Sequence, residues 1–438
     1  MSEAAWPSPR RAWGFIALLF LAGLFSVIDR SVLNVVVDPV RQDIGIGDQQ
    51  IGLLQGLAFG LFYAFVGLPM GLLADRKSRR NLVMGGIALW SMATIASGLA
   101  QTFGQIFTAR LLVGLGEAAL SPAAISLIAD LFPPERRGRP LSVFMLGQSL
   151  ANGLAIALTG LILSHAASGA FAGLPLIGAL APWRLAFVLF GSCGILVAAL
   201  MLFCREPVRR GSVDHVAALP GKDELHFLIA HRAVLMPLYL GFAVCFAVVY
   251  GAAAWAPAML VRQFGATPAF FASFLGPVSL AFAAIGPLLG GWLLDRSMRA
   301  GKPMARFTIL ALIPACAIPA ELAVLTGHLP LAALLVASAG TAFAVLGIVM
   351  LATLQSIVPP RMRGAAVALT LVLNTMIGAT LGPLAVASIT ERVFGDPAMV
   401  GWSIANFGLP ALAAGMALYA LARRNIRRDA ELLDLLEG

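Results

Sequence analysis

The chain has 438 residues, of which 60% are hydrophobic and only 12% charged. A soluble domain carries about 25% charged residues, so half that share over this length excludes a soluble globular enzyme and a disordered scaffold alike. The formal net charge of +9 would suggest nucleic acid for a soluble protein, but where the charges fall gives another answer.

Crossing the hydrocarbon of a bilayer takes about 20 mostly apolar residues as a helix. The first such run covers 13–37, behind Arg10 and Arg11, and holds Asp29 and Arg30. It is too long for a signal-peptide h-region and lacks a cleavage site, so it is expected to stay attached. Runs follow at 50–73, 82–101, 104–128, 141–165 and 183–203. The longest polar stretch, 204–233, leads to runs at 234–260, 270–294, 306–326, 331–356, 364–388 and 399–421. The sequence therefore predicts an all-α membrane protein of twelve spans. Residues 1–203 form a first six-helix half, 204–233 a cytoplasmic linker, 234–421 a second half and 422–438 a cytoplasmic amphipathic tail. That tail, with Arg423, Arg424, Arg427 and Arg428 followed by Leu432, Leu433, Leu435 and Leu436, reads as a helix lying on the anionic leaflet.

Twenty-four of the 30 Lys and Arg fall at the two ends and in or at the edge of the even-to-odd loops, Arg306 included. The opposite loops hold only Arg41, Arg262 and Arg392. This asymmetry places both termini in the cytoplasm, the inner membrane of a bacterium being the expected setting, and needs no nucleic-acid partner. Cys193, Cys204, Cys245 and Cys316 stand singly in or beside apolar runs and read as small apolar residues. No cofactor and no metal is expected, and without a phosphate-cradling loop any driving force comes from ion or substrate gradients. HExxH and GxSxG are also absent, so an enzyme is not expected.

The halves share wording. Gly71-Leu-Leu-Ala-Asp75-Arg76 after span two answers Gly291-Trp-Leu-Leu-Asp295-Arg296 after span eight. Pro133-Pro134-Glu-Arg-Arg137-Gly138 before span five answers Pro359-Pro360-Arg-Met-Arg363-Gly364 before span eleven. Two matches at nearly equal offset imply pseudo-symmetric halves, the build of secondary transporters with a midplane site between them.

The run from Gly71 to Arg80, Gly-Leu-Leu-Ala-Asp75-Arg76-Lys77-Ser78-Arg79-Arg80, resembles the loop signature of the major facilitator superfamily, with Ser78 where a Gly is usual. Ile28-Asp29-Arg30, Arg110-Leu-Leu-Val-Gly114-Leu-Gly116-Glu117, Leu127-Ile-Ala-Asp130, Trp255-Ala-Pro257 and Asn374 with Gly378, Gly382 and Pro383 narrow the likeness to the spinster-type lysolipid and sphingolipid transporters. Organic anion symporters share parts of the pattern. The lipid assignments belong to animal relatives, so the resemblance implies a substrate class and no single compound. The Gly-Pro motif usual in span five of drug:proton antiporters is missing, which speaks against drug efflux.

A charge inside the membrane is a functional candidate by default. Arg30 and Arg110 lie at similar depth, each about 10 Å below its span end at 1.5 Å per residue, and Glu117 follows Arg110 by two helical turns. Either arginine suits bidentate capture of a carboxylate or phosphate. Desolvation favours the neutral form of a carboxyl and a nearby arginine the charged one, so Asp29 and Glu117 are the proton-coupling candidates. Asn34, Gln148, Asn152, Tyr250, Trp255 and Asn374 are further substrate-binding candidates. Spans seven, eight, ten and eleven have no charged residue in their middles, and ionic groups facing an apolar wall suit an amphiphile. The expectation is a monomer moving a lipid-like or organic anion with protons, among membrane lipids, by alternating access; the alternative is proton symport of a small acid such as a hexuronate or aromatic acid. Asp75, Arg76, Arg79, Asp130 and Arg137 are gating candidates by resemblance, with Asp75 set against the helix start near Gly364 and Asp130 within reach of Arg79 or Arg137. Glu321, near the outer end of span nine beside Pro314 and Pro319, reads as a membrane-interface residue.

Overall fold

A computed structural model describes residues 6–173, 175, 178–210 and 222–437, without the side chains of 59, 61–64, 68, 72, 75, 222–225 and 437. Among the described residues, eleven helices are long and apolar enough to cross a membrane. With the 20-residue apolar helix Leu57–Arg76 they fill all twelve expected places. In chain order the others are Pro9–Val35, Arg79–Leu99, Phe103–Leu131, Gly138–Ala167 and Pro182–Met201. Then come Arg232–Phe264, Pro268–Arg299, Ala305–Leu325, Leu329–Ile357, Pro360–Phe394 and Pro397–Ile426. Several start at a side-chain cap that takes up an otherwise orphaned N–H. Ser78 accepts from the Asn81 N–H at 3.2 Å, Thr102 from Gln105 at 3.3 Å, and Thr267 from Phe270 at 3.3 Å.

Two compact units emerge. The first comprises residues 1–216 with 267–277, the second 217–266 with 278–438. In the first, span three packs against spans four and six, and span one against span five. Close helix contact in a membrane rests on small residues, because lipid is as apolar as leucine and gives no hydrophobic reason to associate. A Cβ on Gly86 would stand 2.7 Å from the Gly116 carbonyl, and one on Gly116 2.8 Å from the Gly86 carbonyl, so spans three and four touch backbone to backbone. Around that seam Ile16, Leu19, Ile87, Trp90, Leu127 and Phe144 are buried. On the loop side joining spans one and two, Asp43 accepts from the Trp183 indole at 2.8 Å and pairs with Arg184 at 2.9 Å. Arg184 in turn donates to the carbonyls of Gly98 and Ala100.

Span seven is the spine of the second unit, packed against spans ten, eleven and twelve. Phe242, Cys245, Phe343, Leu346, Leu412 and Tyr419 fill its core. Span eleven contains two wide π-helical stretches, Asn374–Ala379 and Ile389–Phe394, a deformation frequent at functional sites. Span four is likewise broken, into Phe103–Glu117 and Leu120–Leu131.

The tail corrects an expectation. Its helix, Ala430–Glu437, is amphipathic, yet Leu432 and Leu436 are buried in the core of the second unit and do not face lipid. His231 holds it there through Asp429 at 2.7 Å and Glu431 at 3.3 Å.

Candidate functional site

Span one and span four bring all four intramembrane charges of the first unit together. Arg110, buried, donates from its two terminal nitrogens to the backbone carbonyls of Asp29 (2.7 Å) and Arg30 (3.1 Å). Its guanidinium lies 5.8 Å from the centre of the Phe187 ring. Arg110 thereby staples span four to the backbone of span one, and its charge sits among dipoles instead of facing an opening. Arg30 differs: its side chain is 34% exposed, against 2% for Glu117, with which it pairs at 3.1 Å. Of the two arginines, the geometry leaves Arg30 as the one a solute can reach.

Glu117 occupies the last turn before the break in span four. Neither of its oxygens, nor either carboxylate oxygen of fully buried Asp29, makes a well-formed hydrogen bond among the described residues. The Thr94 hydroxyl of span three donates to the Trp90 carbonyl at 2.9 Å. A buried acceptor without a donor is costly, and here two carboxyls, Glu117 paired with Arg30 and Asp29 without a hydrogen bond among the described residues, share one neighbourhood with two guanidiniums. Asn34 lies one turn past Arg30 and accepts from the Gln55 amide at 3.2 Å. Gln148 packs at Gly23, while Asn152, one turn on, is exposed.

In the second unit Asn374, Tyr250 and Phe246 gather around Gly378 at the first wide stretch of span eleven. The Asn374 side-chain oxygen is buried and has no hydrogen-bond partner among the described residues. Phe246 lies tilted against Phe242 at 4.3 Å and edge-on to Phe343 at 6.2 Å, with Tyr250 6.2 Å away. Trp255 stands apart: it is fully buried and donates to the Pro383 carbonyl at 2.9 Å, tying span seven to span eleven. Its indole N–H is therefore occupied inside the core.

The charges at the basic-loop end form a second cluster, wholly inside the first unit. Buried Arg79 pairs with Asp130, reaches Ser126 Oγ at 2.9 Å, and pairs with Glu206 at 3.1 Å. Glu206 also accepts from Ser78 Oγ (2.9 Å) and from the N–H groups of Arg79 (3.2 Å) and Arg80 (2.8 Å). Burial pushes the Glu206 carboxyl up, but these donors and the Arg79 charge outweigh it and hold the group below its ordinary value. Arg137 does not meet Asp130; from the loop before span five it donates to the carbonyls of Ala129 and Phe132 and closes the end of span four. Arg76 is exposed, and the Asp75 side chain lies outside the described residues.

Glu206 is the participant that sequence reasoning missed. Its place directly after span six, across from the capped start of span three, was the available signal. In a stretch rich in Arg, Asp and Lys it looked like linker charge.

Residues 19–383 match the family model described as Major Facilitator Superfamily. The chain is 28% identical over 430 residues to an "MFS-type efflux pump" of Mycolicibacterium smegmatis, covering 96% of this chain and 95% of that protein. It is 30% identical over 409 residues to human "Protein spinster homolog 1", covering 88% and 74%. The crystal structure of a bacterial homolog to the human lysosomal transporter spinster, inward-facing and unoccupied, superposes with a TM-score of 0.82 at 27% identity over 97% of this chain and 99% of that one. The missing span-five motif thus does not separate the chain from proteins named as efflux pumps.

Proposed function

The chain belongs to the major facilitator superfamily, and from that premise we propose that it is a proton-coupled secondary transporter of an amphiphilic anion, a lysophospholipid or sphingoid phosphate. The observation that carries this reading is the reachable Arg30 paired with buried Glu117 beside the stapled Arg110. An anionic head group competes with Glu117 for the Arg30 guanidinium, whose fork matches carboxylate or phosphate. A proton and Arg30 in turn compete for Glu117, so binding of the anion and of the proton are linked through one side chain. Asp29, buried on the same helix turn, is the second protonatable group. Arg110 fixes the backbone that carries both span-one residues.

The second unit has a different chemistry. Its aromatic group Phe246, Tyr250 and Phe343, with the single amide of Asn374, offers apolar surface and no charge. That composition suits an acyl chain better than a sugar acid. Asp75, Arg76, Arg79, Asp130 and Arg137 take part in opening and closing the basic-loop end, where the Arg79 cluster keeps the first unit stiff while it moves. The protein works as a monomer in a bacterial inner membrane, with both termini in the cytoplasm.

The test is flux in proteoliposomes under an imposed pH gradient, with labelled lysophospholipid and labelled hexuronate side by side against empty vesicles. Saturable, gradient-dependent lipid flux supports the proposal. Hexuronate flux without lipid flux replaces it with small-acid symport and turns Arg30 into a carboxylate receptor. Lipid flux indifferent to the gradient removes the proton.

A further inference from the structure

Glu321 of span nine is the buried carboxyl that the transport reading leaves unused. It was expected at the membrane interface, yet it is 2% exposed, and neither carboxylate oxygen has a hydrogen-bond partner among the described residues. Span nine is broken around it. The helix Ala305–Leu312 passes into a 3-10 stretch, Ile313–Ala317, at Pro314. A short turn from Ile318 to Glu321, opened by Pro319, then meets a second 3-10 turn, Ala323–Leu325.

Opposite the carboxyl, span twelve has Gly408, and a Cβ there would overlap the Glu321 side chain. The missing side chain is what admits the carboxyl between the two spans. The elements packed against this turn are span ten, span twelve and the two 3-10 segments. Span ten, Leu329–Ile357, has no ionisable residue, and span twelve has none between Val400 and Gly415. Cys316 on span nine is exposed, and His328 heads span ten. Arg306 of span nine and Arg423 and Arg424 of span twelve lie at the opposite ends of their spans, about 15 residues along the chain from Glu321 and Gly408, so among the described residues of these elements no cation stands beside Glu321 to offset a negative charge.

An isolated carboxylate in such surroundings is far more costly than a carboxylic acid. We propose that Glu321 is a proton-binding site of the second unit, exchanging through the end of span nine next to Gly327, and that proton loading seats the broken end of span nine on Gly408 of span twelve. With the proton gone, the carboxylate draws in water and the seam between the two spans opens. This site is separate from Asp29 and Glu117 and does not depend on which substrate is carried.

The test uses the full chain in liposomes treated with dicyclohexylcarbodiimide, followed by peptide mass spectrometry. The reagent takes the carboxyl proton onto one nitrogen while the carboxylate oxygen adds to its central carbon, and acyl migration leaves a stable N-acylurea. The expected result is an adduct on Glu321 whose yield falls about tenfold or more from pH 6 to pH 10. In Glu321→Gln that adduct disappears while adducts elsewhere remain. Gly408→Ala lowers the melting temperature of the native chain and not of a Glu321→Ala chain, because the clash needs the carboxyl. No adduct on Glu321 at any pH, a yield flat across the range, or protection by sodium at fixed pH each overturns the proposal. The pH series on the unmodified chain decides the matter even where a variant does not fold, and flux plays no part in it.

Discussion

The two units treat buried charge in opposite ways. In the first, four ionic side chains share one neighbourhood, and Arg110 binds backbone while Arg30 meets Glu117. In the second, Glu321 stands alone against a glycine. The lesson is that a partnered centre responds to anything that moves a partner, whereas a solitary carboxyl responds to protons alone. On the proposed function a solute acts on the first centre by taking Arg30; among the described residues no cation pairs with Glu321.

Breaking the first centre at its anchor has the largest effect. Arg110→Ala leaves Asp29 and Glu117 short of a cation and removes the staple, a class of change that costs about 3–5 kcal/mol. A large drop in melting temperature and lost flux are expected, with partial recovery of stability in Arg110→Lys. Next comes Gly86→Ala, whose Cβ would stand 2.7 Å from the Gly116 carbonyl. Overpacking of this kind costs about 1–3 kcal/mol, read as a lower melting temperature with the substrate dependence of flux retained.

Glu117→Gln sharpens the comparison by keeping shape and removing the proton site. Near-native stability with a flat pH profile of flux is the expected outcome, and an unaltered profile shifts the proton to Asp29. Arg30→Ala raises the substrate concentration at half-maximal flux by about tenfold or more, the loss of a charge-assisted contact worth about 1.5–3 kcal/mol. The smallest effect belongs to Glu206, which lies outside the spans. Because its carboxyl is held below its ordinary value, its contribution to stability is full above about pH 4.3 and is lost as pH falls through the lowered value. Melting temperatures of the native chain thus decline at acid pH more than those of Glu206→Gln.

The twelve spans were legible because bilayer thickness leaves no other use for such long apolar runs. The first-unit quartet was legible too, since charges in those runs are conspicuous. Its division of labour was not. Arg30 and Arg110 look alike in sequence, and only the reach of Arg110 to the carbonyls of Asp29 and Arg30 makes one a staple and leaves the other accessible. In sequence Trp255 looks like a binding residue, because an aromatic in a span gives no sign of whether its N–H already has an acceptor, as it does in Pro383. The tail's leucine stripe reads as lipid-facing, and such a stripe fits a protein groove equally well, as buried Leu432 and Leu436 do here while Leu435 stays exposed. Glu321 was misplaced because counting residues from a span end measures depth only along a straight helix, and span nine bends at Pro314 and Pro319.

The Arg110 staple also bears on how the chain enters the membrane. Span four carries Arg110 and Glu117 among its apolar residues, and at a helix centre a charge of this kind opposes insertion by about 2.5–3.5 kcal/mol. Its compensation lies in the carbonyls of Asp29 and Arg30, on a segment synthesised some eighty residues earlier. Span four presented alone therefore carries an insertion cost that span one, already made, lowers by offering those carbonyls, so the order in which the helices are made is itself part of what lets a charged centre be buried.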